Sequence, residues 1–392
     1  MASRLLSNTF LKNTLCGRHT ACGIIQQLLY STDPDLLTKE TLFTKLPVKE
    51  ISPTCNDQIA GRKWLPGSHG RGFPKYLAKP REDFPHALMA KSADMYSIDE
   101  IAKVTRQVID EDLPKYGAVL FRGLTLYDVQ DFANFSLALG YKSMEYTGGA
   151  GNRQIVNTQS QIYTASDDPS AYTIELHNEL AYSPTYPRKL MFYCVDEPGE
   201  GCGGYTVLCK SSDFVPNIHP DVIKKLEEKQ VRYQHRVPDQ ASSKYSSWQK
   251  RFNTTDKKIV ESFLEKKGFT YKWEDKSLSY WNILPAFIPH PDTGEKTWFN
   301  HVHRKHISSY RESPMFPGDD HLDTSYVFGS FYGDGSEIEP EVIQHIRECI
   351  WNSTVGFQWR QEDVLLVDNL TTLHGRLGFN GKRKILANLF ED

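Results

Sequence analysis

From Ser97 onward, Ile98, Ile101, Ala102, Val104, Val108 and Ile109 recur at the spacing of one helical face. Ser97, with Glu100 three positions on, has the form of a capping box, so the pattern predicts a helix that starts there and runs toward Gly117. Ala118-Val119-Leu120-Phe121 is a short apolar run near glycines, as a buried strand would be, and Asp128 to Leu139 returns to helical spacing. Beyond residue 150 the character changes to short apolar or alternating runs separated by turn residues. Strands are predicted at Tyr172 to Leu176, Lys189 to Val195, Gly204 to Lys210, Val231 to Arg236, Thr270 to Trp273, Pro285 to Pro289, Thr297 to Asn300, Val364 to Val367 and Lys384 to Phe390. Pro220 to Lys229, Asp256 to Lys267 and Glu339 to Trp351 read as helices that interrupt or cover the sheets. This order, without internal repeats, predicts a mainly β fold with helices: a double-stranded β-helix, or jelly roll, with inserted and flanking helices.

Three segments follow. Residues 1–32 carry Arg4, Lys12 and Arg18, several Ser and Thr, and no acidic residue before Asp33. Leu5, Leu6, Phe10, Leu11 and Leu15 fit one face of a basic amphipathic helix, so the segment is read as a mitochondrial transit peptide, the alternatives being a plain tail and a cytoplasmic protein. Residues 33–95 are rich in Pro, Gly and charge, and the run from Pro66 to Pro74 resists any regular element, so they read as a wrapping segment. Residues 96–392 remain as one jelly-roll domain.

Composition narrows the partners. Among 392 residues, 39% are hydrophobic and 12% aromatic, enough for a sizeable core. The 46 basic and 49 acidic side chains nearly cancel, which argues against nucleic acid or an anionic membrane surface and for a small-molecule partner. No apolar run approaches the length of a membrane helix. The 7 cysteines follow neither a disulfide framework nor zinc-knuckle spacing and read as reduced thiols. Oligomeric state is not legible.

The chemistry concentrates at two places. Ile174-Glu175-Leu176-His177-Asn178-Glu179 ends a predicted strand with His and Glu two positions apart, which alternation turns to one face. Two imidazoles and one carboxylate on one side of an octahedral ion leave three positions open, the arrangement that suits ferrous oxygen chemistry. His374, after the apolar run Val364 to Val367, is the candidate third ligand; the competing reading is a core histidine bonded to a backbone carbonyl. His301, His303 and His306 form a rival cluster, but Arg304 and Lys305 crowd it with positive charge, and it reads as a polar loop. Trp298, Phe299 and Asn300 are candidates for a cavity wall or for core packing. Tyr146, Arg153 and Arg251 are candidates for meeting an anionic or amino-acid-like ligand, and residues 140–170 and 236–256 for lid segments.

Together these marks resemble the taurine dioxygenase and clavaminate synthase-like oxygenases. The resemblance rests on Gly117 to Gly123, the His177/Glu179 pair, Gly203-Gly204-Tyr205-Thr206, and His374-Gly375-Arg376 followed by Arg383-Lys384-Ile385-Leu386, and it covers roughly residues 95–392. It implies an Fe(II)- and 2-oxoglutarate-dependent dioxygenase that uses O2, releases succinate and CO2, and needs no acid–base residue beyond its metal ligands. It further implies that Thr206 and an arginine after the distal histidine hold the far carboxylate of 2-oxoglutarate. Arg383 is the first choice, Lys384 the alternative one register away, and Arg376 a further candidate. Many relatives have Asp where Glu179 stands, which puts this chain nearer the clavaminate branch; a retained carboxylate implies hydroxylation or desaturation, not halogenation. The substrate is expected to be small, either amino-acid-like or carboxylate-bearing. Two other functional classes remain open at this point, a catalytically inactive metal-binding regulatory module and a zinc-dependent hydrolase on the same ligands.

Overall fold

The computed structural model describes residues 37–53, 58–146, 153–242, 247–313 and 328–392. The predicted transit peptide, the first residues of the wrapping segment, parts of both lid segments, and Cys16, Cys22 and Cys55 lie outside the described residues.

The predicted first helix spans Ile98–Tyr116, and its cap is the expected one: the Glu100 amide donates to Ser97 Oγ and the Ser97 amide to the Glu100 carboxylate. Gly117, at φ 79°, ends it in the left-handed conformation. In chain order the strands begin with β1 (Phe43–Lys45), β2 (His86–Ala90), β3 (Ala118–Arg122), β4 (Ile155–Asn157), β5 (Ile162–Thr164) and β6 (Ile174–His177). They continue with β7 (Lys189–Asp196), β8 (Thr206–Lys210), β9 (Val231–Pro238), β10 (Thr270–Glu274), β11 (Ser277–Leu284) and β12 (Phe287–Pro289). The last are β13 (Lys296–Trp298), β14 (Phe328–Tyr332), β15 (Val355–Phe357), β16 (Val364–Asp368), β17 (Thr372–Arg376) and β18 (Lys384–Phe390).

Eight strands form one sheet in the order β1-β2-β3-β16-β7-β18-β5-β4, and four form a second, β15-β8-β17-β6. Leu190, Phe192, Leu365 and Ile385 from the first share a core with Leu208, Val355 and Phe357 from the second, so the two sheets face each other as the halves of a jelly roll. Strand alternation sends the intervening residues the other way: Met191, Val364, Leu366 and Leu386 pack under the helices Ile98–Tyr116 and Val129–Ala138. On the outer side of the second sheet, Val207, Leu373 and Leu377 pack against the helix Pro340–Asn352 through Ile343, Ile346 and Ile350.

That helix also carries Arg347, which is only 2% exposed. Its Nε donates to Glu175 on β6 at 2.8 Å, and its Nη2 donates to the carbonyl of His303 at 2.9 Å and to Ser309 Oγ at 2.7 Å. One buried guanidinium therefore fixes the strand that ends in His177 against the turn around His303, and the pairing with Glu175 is what makes its burial tolerable.

A third sheet, β10-β11-β9-β14, shares the core outside the second sheet through Val231, Tyr233, Phe328 and Tyr332. With the helices Trp248–Phe252 and Lys257–Lys266 it builds its own small core around Trp248, Val260, Leu264, Leu278 and Tyr280. Among the described residues no helix is long and apolar enough to cross a membrane.

The predicted elements are all present within a few residues, and several strands that were not predicted join them. Pro66 to Pro74 has no helix or strand, as expected, yet the wrapping segment also supplies β1 and β2, and β2 runs parallel to β3 after the crossover through Ile98–Tyr116. β17 reads Thr-Leu-His-Gly-Arg, with too little apolar alternation to announce itself, because its inward positions hold polar side chains.

Candidate active site

β6 and β17 are antiparallel neighbours, and their register sets His374 directly opposite His177. Glu179 arrives differently from the expectation. β6 ends at His177, and a turn through Asn178 to Leu180, with Leu180 at φ 57°, swings the carboxylate round, so simple strand alternation is not what joins the pair. Asn369, fully buried, holds that turn: its Oδ1 accepts the Glu179 amide at 2.6 Å while its Nδ2 donates to the carbonyls of Glu179 and Pro187. Glu179 Oε2 lies 3.9 Å from Nε2 of His177 and 3.9 Å from Nε2 of His374. One ligand atom from each of the three residues falls within 4.8 Å of the others.

The state of these donors suits a cation. His177 Nδ1–H donates to the Glu175 carbonyl at 2.9 Å, which selects the tautomer with a free lone pair on Nε2. Burial, with the charge of Arg304 adding to it, pushes the His177 pKa down to about 3, and burial likewise holds His374 neutral. His374 Nδ1 is buried without a hydrogen-bond partner among the described residues. Arg153 donates to Glu179 Oε2 at 2.5 Å and stacks over Tyr146 with its guanidinium carbon 4.8 Å from the ring centre. Two neutral imidazoles and one carboxylate at one open cavity form the donor set of a non-haem ferrous centre, so these residues fit the ion.

The three donors face a cavity of about 510 Å³ between the sheets. Thr206 from β8 and Arg383, just before β18, line the same cavity. Arg383 Nε donates to the Gly204 carbonyl at 2.8 Å and Nη2 to Thr206 Oγ1 at 3.2 Å; Trp359 Nε1 also donates to that hydroxyl at 2.9 Å. With both acceptor sites of Oγ1 engaged, its own O–H is directed to another acceptor. The tight approach depends on glycine: a Cβ on Gly204, at φ 75°, would sit 3.0 Å from the Arg383 side chain. Burial and the neighbouring Arg376 push the Arg383 pKa down to about 9, still protonated at neutral pH.

Lys384 and Arg376, the two remaining candidates, differ in placement. Lys384 is exposed, because Arg383 shares the inward parity of Ile385 and Ala387 while Lys384 has the opposite one. Arg376 is buried, but its terminal nitrogens are committed to the carbonyls of Asp168, Pro169 and Tyr172, so it fastens that loop to β17. His301, His303 and His306 lie in a turn segment but are buried; their Nε2 atoms meet the carbonyls of Asn178, Leu176 and Ile338, and among the described residues they do not gather into a metal-holding group. Trp298 and Phe299 are core residues, and Asn300 donates to the Ala286 carbonyl, so none of the three lines the cavity. Tyr146, Arg153 and Arg251 do line it.

Comparison with known proteins agrees with this geometry. The family model "Taurine catabolism dioxygenase TauD, TfdA family" matches residues 81–389. The dapdiamide synthesis protein DdaC of Enterobacter agglomerans is 30% identical over 315 residues, 78% of this chain and 92% of its own. A clavaminate synthase-like protein of Arabidopsis thaliana is 27% identical over 325 residues, covering 81% of this chain and 93% of that one. The tyrosine isonitrile desaturase of Pseudomonas aeruginosa is 24% identical over 208 residues, 53% of this chain and 54% of its own. The chain belongs to the TauD/TfdA family of jelly-roll oxygenases and is a non-haem dioxygenase dependent on Fe(II), 2-oxoglutarate and O2.

Proposed function

We propose that this enzyme hydroxylates a small organic substrate, with His177, Glu179 and His374 holding the iron and with Thr206 and Arg383 holding the far carboxylate of 2-oxoglutarate. The observation that carries the reading is the convergence of two imidazoles and one carboxylate within 4.8 Å on the cavity that also contains the Arg383–Thr206 pair. Bound there, the ferrous ion, 2-oxoglutarate and O2 supply the oxidising power, with succinate and CO2 as co-products.

The chain's own residues do the positioning. Glu175, through its carbonyl, keeps Nε2 of His177 turned to the centre, and Asn369 keeps the Glu179 turn closed. Arg383 offers a charged fork to a carboxylate, and the Thr206 hydroxyl offers one further donor. Phe192 and Ile385 from the large sheet, with Tyr146 and Tyr182, wall the cavity and limit the water that reaches it. The intact Glu179 argues against halogenation, and a relative named for desaturation keeps that outcome as the second reading beside hydroxylation. An amino-acid-derived or carboxylate-bearing substrate fits the arginines on the wall.

Anaerobic addition of Fe(II) and 2-oxoglutarate to the purified protein should give the visible absorption of an iron(II)–2-oxoglutarate chelate, and admission of O2 should release succinate. Neither signal is expected from His177→Ala. A chelate of wild-type intensity in that variant would remove His177 from the ligand set. On composition alone we also propose that residues 1–32 direct import into the mitochondrial matrix. A fluorescent fusion should reach mitochondria with them and stay cytoplasmic without them, and unchanged targeting after their deletion would refute the assignment.

A further inference from the structure

Six cationic side chains and two carboxylates line the cavity, and the excess is not spread evenly. Three of the cations are engaged: Arg153 pairs with Glu179, Arg376 with backbone carbonyls, and Arg383 with Gly204 and Thr206. Arg251, Arg304 and Lys305 are different. Among the described residues no carboxylate lies within ion-pair distance of any of them. Lys305 rests on ring faces instead, its Nζ 4.9 Å from the centre of Tyr182 and 4.7 Å from that of Phe328. Arg304 sits 5.8 Å from the centre of Trp64. Arg251 comes from the inserted third-sheet unit, on the helix Trp248–Phe252, and donates to His235 Nδ1 at 3.2 Å; burial keeps that histidine neutral.

Lys305 has Arg304 and Arg251 as like-charged neighbours and Glu179 and Asp168 as opposite ones, whereas the charged neighbour of Arg383 is Arg376. The Lys305 pKa falls to about 7 through burial and the charge of Arg304, which Glu179 and Asp168 offset only in part. Iron and 2-oxoglutarate do not relieve it, because a divalent cation and a divalent anion enter together and cancel.

We propose that Arg251, Arg304 and Lys305 form a subsite for a carboxylate on the substrate to be oxidised, separate from the Arg383–Thr206 pocket of the co-substrate. Tyr182, Phe328 and Trp64 give the subsite aromatic walls, so the preferred ligand joins a carboxylate to an apolar or planar body. The inference rests on the reading of the triad and of Arg383 given above.

The test uses the full protein saturated with Mn(II) and N-oxalylglycine, so that the co-substrate pocket is filled. Binding of 3-phenylpropanoate, 3-phenylpropanamide and 3-phenylpropylamine, equal in shape and different in charge, is then followed by calorimetry. The carboxylate should bind at least about 10-fold tighter than the amide, the amine should bind weakest, and added salt should narrow the gap. Lys305→Met and Arg304→Gln should each weaken the carboxylate by about 10-fold, with N-oxalylglycine affinity retained, and Lys305→Arg should preserve it. Equal binding of the three probes, or amine preference, overturns the subsite. Parallel loss of N-oxalylglycine and 3-phenylpropanoate in Lys305→Met, with Lys305→Arg intact, would place the lysine in the co-substrate pocket and overturn it too. Failure of N-oxalylglycine to bind the wild-type protein with Mn(II) would strike the triad reading itself, so the two failures are distinguishable.

Discussion

His374→Ala is expected to lose ferrous iron almost completely: after anaerobic reconstitution and desalting, iron per chain should fall to background, with affinity down by more than about 100-fold. Changes in the groups that merely orient metal ligands cost about 10–100-fold, and removal of a ligand must exceed that range. Asn369→Ala supplies the comparison within this protein. It leaves all three donors in place but frees the turn carrying Glu179, whose amide, carbonyl and neighbour Pro187 all bond to Asn369. Its iron affinity should therefore fall inside the 10–100-fold window. The metal-free proteins should behave oppositely in stability. Asn369→Ala strands buried backbone groups at about 1–3 kcal/mol each, whereas His374 contributes a buried Nδ1 with no hydrogen-bond partner among the described residues, so the metal-free His374 variant should lose less melting temperature than the Asn369 variant. Wild-type iron content in His374→Ala would break the proposed ligand set.

That contrast also explains what the sequence could and could not disclose. The convergence of His177, Glu179 and His374 was expected from several marks of the resemblance in order, since His-x-Glu alone is a common pattern, and strong strand signals flank both histidines: Ile174 to Leu176 before His177, and Val364 to Val367 before His374. The Arg383 choice came from the resemblance, with Lys384 left open one register away; the inward facing of Ile385 and Ala387 in the sandwich is what separates the two. The supports were not legible. Asn369, Trp359 and Arg347 act across separations of 190, 153 and 172 residues, and nothing in a lone Asn, Trp or Arg announces which backbone amide, hydroxyl or carboxylate it will meet. The burial of the histidines at 301, 303 and 306 was hidden for the same reason. Their partners are main-chain carbonyls of β6 and its turn and of residue 338, which only the fold brings near. β17 escaped because a strand whose inward face is a site trades apolar alternation for His and Arg.

The second large effect concerns the co-substrate. Arg383→Met should raise the KM for 2-oxoglutarate by at least about 100-fold, because a carboxylate in that pocket loses charge-assisted bonds worth about 1.5–3 kcal/mol each. Arg383→Lys keeps the charge but not the fork; it also gives up the bonds that Nε and Nη2 make to Gly204 and Thr206, so it should recover only part of the loss. Thr206→Val should cost less, near about 10-fold, as one hydroxyl donor disappears and Trp359 Nε1 is left without its acceptor. Lys384→Met, on the exposed face, should leave the KM unchanged. Iron stoichiometry should be normal in all four variants, which separates a co-substrate defect from a metal defect. The decisive comparison is between adjacent residues: if Lys384→Met raises the KM while Arg383→Met does not, β18 has the opposite facing at its start, and the co-substrate must be held by some group other than the Arg383–Thr206 pair.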